Sequence, residues 1–169
     1  MHLFLTGPSQ TGKSTALRRF LETTKLPADG FLTAFDAQGE DRRLFFIRFD
    51  TQAPESGERR LAARAQGRLT RIYSGVFDGF GADCLRAAGQ RRLILMDELG
   101  TMEEGSPRFI AEVFHRLDGA VPVAGVVKMQ ASPFLDAVRA HPRVRLVLAS
   151  RDNRDVLPDL LAGHFADFL

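Results

Sequence analysis

The chain has 169 residues, a formal net charge of +2, 44% hydrophobic and 26% charged residues; this ordinary globular usage suggests neither disorder nor a fibrous architecture and suits one domain over residues 1–169. Near-neutral charge gives no case for nucleic acid or an anionic membrane surface as a partner. A single cysteine, Cys84, excludes an internal disulfide; with no export signal and no apolar run of membrane-spanning length, the expected compartment is the cytoplasm.

The first predicted element is an apolar strand, Leu3-Phe4-Leu5, which runs into Gly7-Pro8-Ser9-Gln10-Thr11-Gly12-Lys13-Ser14-Thr15. This stretch fits the phosphate-loop pattern G-x-x-x-x-G-K-[ST] in full. Consecutive backbone N–H groups ahead of a helix N-terminus form a concave anion site suited to a polyphosphate. Lys13 is expected on the β- and γ-phosphates and the Ser14 hydroxyl on Mg²⁺; Thr15 comes too late to be a metal ligand. Ala16, Leu17, Phe20 and Leu21 then recur at helical spacing, which gives the helix an apolar face.

Residues 30–35 and 44–49 are read as the strands of a β-hairpin, joined through the polar turn from Asp36 to Asp41. From Thr51 to Gly67 the chain is polar and punctuated by Pro54 and Gly57, which predicts an exposed loop with a short helical piece around Leu61. Arg71 to Phe77 is expected as a strand and Phe80 to Ala88 as a helix ending at Gly89. Eight arginines between Arg42 and Arg71 are interleaved with Asp41, Asp50, Glu55 and Glu58, so a salt-bridged surface is preferred over a phosphate-binding lid.

Leu93-Ile94-Leu95-Met96 is an apolar run ending in Asp97, the pattern of a strand buried on both faces of a parallel sheet. A carboxylate there holds Mg²⁺ in phosphate-loop proteins, and Glu98 is placed to align the attacking water; otherwise Glu98 is a solvated loop residue. Phe109, Ile110, Val113, Phe114 and Leu117 predict a helix, Val121 to Val127 a strand, Phe134 to Ala140 a helix, Val144 to Ala149 a strand and Arg154 to Leu161 the last helix. Lys128 is read as solvated, with phosphate as the alternative. Asn153 and Asp155 fall on the same rim as the phosphate loop: they either contact the base, with Arg151 or Arg154 near the phosphates, or Asp152 or Asn153 caps the last helix. Cys84 is read as core, and the histidines show no metal spacing. The alternation of strands and helices predicts an α/β fold, with a mostly parallel sheet, an inserted β-hairpin and ligands at the strand C-terminal ends.

The phosphate loop, Asp97-Glu98-Leu99-Gly100 with Met102-Glu103, Ser106 with Phe109, and Asn153-Arg154-Asp155 together resemble the nucleoside-triphosphatase family of thermophile type. Its vertebrate members are called cancer-related nucleoside triphosphatases. Gly30-Phe31 with Thr33, and Phe77, fit the same spacing. The resemblance implies a P-loop NTPase three-layer sandwich and Mg²⁺-dependent hydrolysis of ATP, GTP and other nucleoside triphosphates to the diphosphate and phosphate. With the residue readings above, the candidate site is Gly7 to Thr15 with Asn153 and Asp155 for the nucleotide, Ser14 and Asp97 for the metal, and Lys13 and Glu98 for catalysis. Thr101 departs from the lysine often found there, and Ala34-Phe35-Asp36 from an acidic and basic pair. The competing readings are a P-loop kinase, whose acceptor the hairpin and arginine segment would hold, and a slow nucleotide-dependent interaction switch.

Overall fold

The structure is a computed structural model that describes residues 1–53 and 57–169. Among the described residues eight strands form one sheet, in the order β5-β4-β3-β2-β6-β7-β1-β8. They are β1 (His2–Thr6), β2 (Ala28–Gln38), β3 (Asp41–Asp50), β4 (Arg59–Gln66), β5 (Leu69–Ile72), β6 (Leu93–Leu99), β7 (Val123–Val127) and β8 (Val144–Leu148). From β2 through β8 the neighbours in the sheet are parallel, whereas β2 through β5 form an antiparallel meander.

Helices cover both faces of the parallel half. On one face lie α1 (Lys13–Thr24) and α5 (Leu157–His164); on the other, α2 (Ala82–Ala87), α3 (Pro107–Asp118) and α4 (Pro133–Ala140). Each helix buries the stripe its spacing predicts: Ala16, Leu17, Phe20 and Leu21 from α1, and Phe109, Val113 and Leu117 from α3. Because β6 has helices over both faces, Leu93 through Asp97 are all buried. Phe31, Phe46, Phe77 and Phe109 make an aromatic cluster under α3, with Phe46 edge-on to Phe77 at 5.9 Å between ring centroids. No helix is long and apolar enough to cross a membrane among the described residues.

Several expectations need correction. The hairpin is present but continues into β4 and β5, so three antiparallel strands follow β2 rather than one. Leu61 lies in β4, not in a helical piece of a loop: Ala62 and Ala63 are both buried because the β3–β4 register shifts between Leu44 and Phe45. Pro54, used in that reading, and Glu55, counted among the acidic residues interleaved with the arginines, lie outside the described residues. The strand expected over Arg71 to Phe77 stops at Ile72; Val76–Gly81 forms a π-helical turn that leads into α2 and carries Phe77 into the core. The last helix begins at Leu157 instead of Arg154, with Val156 at its N-cap, so neither Asp152 nor Asn153 caps it.

Candidate active site

The phosphate loop connects β1 to α1, and its shape depends on close backbone approach. Gly7 has φ +139°, and a Cβ there would stand 2.3 Å from the Ala149 carbonyl oxygen at the end of the neighbouring strand segment. Thr11 Oγ1 donates to the Pro8 carbonyl at 2.9 Å, closing the loop on itself. Lys13 lies folded across it: Nζ donates to the carbonyls of Gly7 at 3.1 Å and Pro8 at 2.6 Å, and to Thr11 Oγ1 at 3.4 Å. Burial pushes the Lys13 pKa below the ordinary lysine value, opposed by the nearby charges of Glu98 and Asp97. An ammonium held by neutral carbonyls, with no carboxylate paired to it among the described residues, is available to an incoming polyphosphate, whose charge attracts it more strongly.

The second half of the site comes from β6. Ser14 Oγ donates to Asp97 Oδ1 at 2.9 Å, across a sequence separation of 83 residues. Asp97 is only 3% exposed. Burial raises its carboxyl to about 6, and the Ser14 hydrogen bond opposes that rise. A buried carboxylate beside a hydroxyl is a hard oxygen donor pair that fits Mg²⁺. Among the described residues no group of three or more His, Cys, Asp or Glu comes together to hold a metal ion. An ion bound at Ser14 and Asp97 would take its other ligands from phosphate and water.

Glu98 follows Asp97 and is half-buried rather than a freely solvated loop side chain; its Oε1 lies 3.5 Å from Lys128 Nζ. Past β6, the 3₁₀ turn Thr101–Glu103 folds Glu103 back so that its Oε2 accepts from the Gly100 N–H at 3.2 Å. Burial lifts the Glu103 carboxyl to about 8. Sequence reasoning saw Glu103 only through family resemblance, because its burial arises from a turn that brings it under the site.

A separate cavity of about 240 Å³ opens beside the loop, lined by Gln10, Gly12, Thr15, Arg19, Arg154 and Asp155 among others. Arg19 was missed, although it stands one helical turn after Thr15 on α1 and so shares its side. Asp155 and Arg154 line this cavity, as expected from their position on the rim. Asn153 is engaged within its own loop: Oδ1 accepts from the Ser150 N–H and Nδ2 donates to the Leu148 carbonyl, both at 2.8 Å. A larger cavity, about 550 Å³, lies between the second half of α1 and β2–β3; its apolar lining, which includes Leu21, Leu26, Leu32 and Phe49, does not suit a polyphosphate.

The arginine segment behaves as a salt-bridged surface. Asp41 accepts from Arg43 and Arg64, which holds its carboxyl below the usual range, and Glu58 pairs with Arg60 and Arg48. Cys84 is buried, and that burial raises its thiol to about 11.

The family described as NTPase matches residues 2–162. A cancer-related nucleoside-triphosphatase homolog of Mus musculus is 30% identical over 95% of both chains, and the nucleoside-triphosphatase THEP1 of Thermofilum pendens is 28% identical over 99% of this chain and 97% of its own. Among solved structures, THEP1 from Aquifex aeolicus shares the fold with a TM-score of 0.76 and 23% identity, covering 96% of this chain and 98% of that one. The solution structure of a human cancer-related nucleoside triphosphatase gives 0.71 and 24%, over 98% and 97%.

Proposed function

Because this chain belongs to the nucleoside-triphosphatase family, we propose that it hydrolyses ATP, GTP and other nucleoside triphosphates in a Mg²⁺-dependent reaction, with Lys13, Ser14, Asp97 and Glu98 as its working groups. The observation that carries this reading is the 2.9 Å hydrogen bond from Ser14 to Asp97, which draws the end of β6 onto the phosphate loop. Mg²⁺ held by Ser14 and Asp97 would neutralise charge on the β- and γ-phosphates. The backbone N–H groups of the loop between Gly7 and Thr15, Pro8 excepted, bind the phosphate chain, and Lys13 leaves its carbonyl partners to stabilise the charge that develops as the terminal bond breaks. Glu98 accepts a hydrogen bond from the attacking water and aligns it with that bond. The nucleoside lies in the cavity between Arg19, Arg154 and Asp155, with Asn153 holding the loop that presents Asp155.

Such an enzyme needs no acceptor and no partner. It works where nucleoside triphosphates and Mg²⁺ are both present, which points to the cytoplasm. Phosphate release from ATP, GTP, CTP and UTP, measured with and without Mg²⁺, tests the reading. Turnover in buffer alone is expected with Mg²⁺ and lost with excess chelator, and Lys13→Ala should lower it by about 100-fold or more. Diphosphate release that appears only with an added acceptor would favour the kinase, and turnover that needs a protein partner would favour the switch.

A further inference from the structure

Strand β7 lies between β1, which delivers the phosphate loop, and β6, which delivers Asp97 and Glu98. The residue that follows its last position is therefore flanked by both halves of the site. That residue is Lys128, whose Nζ lies 3.5 Å from Glu98 Oε1 and whose charge also bears on Lys13.

The rest of Lys128 is fixed from several sides. Its N–H donates to the Leu99 carbonyl at 3.0 Å, and its carbonyl accepts from Arg139. The stem crosses Gly100 so closely that a Cβ on that glycine would meet Lys128 Cδ at 3.3 Å. The ammonium also stands 6.0 Å from the centroid of the Phe35 ring. Thr101, next along the chain, brings no charge of its own. Among the described residues, Lys128 is the ion-pair partner of Glu98.

We propose that Lys128 is a positioning residue for hydrolysis: it anchors one carboxylate oxygen of Glu98 and leaves the other to align the attacking water. The inference rests on the assignment of Glu98 made above. A free glutamate samples many rotamers, and each one away from the water's line of attack is unproductive. A lysine whose backbone is hydrogen-bonded and whose stem packs on Gly100 limits where its ammonium can stand, and the ion pair passes that limit on to the carboxylate. Because the ion pair is partly shielded from solvent, it holds better than a surface pair.

Lys128→Met keeps the stem and removes the charge. Anchoring predicts that kcat falls about 10- to 100-fold while KM and the affinity for a non-hydrolysable triphosphate change less than about twofold. Lys128→Arg should restore part of the loss, and adding Lys128→Met to Glu98→Gln should cost nothing further, since the two residues act as one unit. The inference is overturned by unchanged kcat in Lys128→Met, by a rise in KM alone, which would place Lys128 on substrate phosphate, or by losses that multiply in the double variant. Parental turnover in Glu98→Gln would remove the Glu98 assignment itself. Loss in Glu98→Gln beside parental turnover in Lys128→Met would remove this inference alone.

Discussion

Gly30 shows how much of the site depends on single residues outside it. It pairs with Leu95, two positions before Asp97, and at φ +138° a Cβ would lie 2.1 Å from the Leu95 carbonyl oxygen. Neither β2 nor β6 can yield without moving the Asp97 end of the sheet. Gly30→Ala should therefore cost more than about 2 kcal/mol of stability, read as a lowered thermal midpoint; an unchanged midpoint would contradict the geometry. The phosphate loop was legible residue by residue, since its glycines, Lys13 and Ser14 are contiguous and their spacing carries the chemistry. Glu103 and Lys128 were not so legible. They depend on a 3₁₀ turn and a strand order, which short local windows do not record, whereas the helical spacing of Arg19 from Thr15 was there to be read.

Among the elements, β1 is tied to its surroundings by an unusual polar contact. His2 is fully buried: Nδ1 accepts from the Val123 N–H at 3.0 Å, and Nε2 donates to the Leu117 carbonyl at 2.8 Å. This linkage of β1, β7 and the end of α3 requires the neutral ring, because a protonated Nδ1 would face a donor. Burial accordingly lowers the His2 pKa from 6.5 to about 4. A depressed folded-state value means that the unfolded chain binds more protons across this interval. The contribution of His2 to stability is thus complete above about pH 6.5, declines as pH falls toward 4, and is gone below it. Thermal melts from pH 7 to 4 should show a slope that flattens in His2→Gln; equal slopes would assign the pH dependence elsewhere. The apolar periods gave α1, α3, α4 and β6 directly. They misled at β4, where an alanine-rich stretch has a weak helical preference of its own but pairs with β3 on one side and β5 on the other.

At the level of the whole molecule, the order of strands does the work that no single motif can. The loop after β1 and the acidic end of β6 are more than eighty residues apart in sequence, and parallel pairing through β7 sets both at one rim of the sheet. The meander from β2 to β5 extends the sheet beyond β6, and four of its eight arginines, Arg43, Arg48, Arg60 and Arg64, pair with Asp41 or Glu58. The α/β class followed from alternating strands and helices, whereas the length of the meander did not, because short edge strands rich in arginine carry a weak alternating pattern. The proposed function comes down to a division of labour, in which Lys13, Ser14 and Asp97 would hold the nucleotide and Glu98 would act on water. The most direct measurement is to titrate Glu98→Gln with Mg²⁺ and ATP for binding and to follow phosphate release from the same sample. The account predicts parental affinity with release slowed by about 100-fold or more. Parental release from that variant would contradict it.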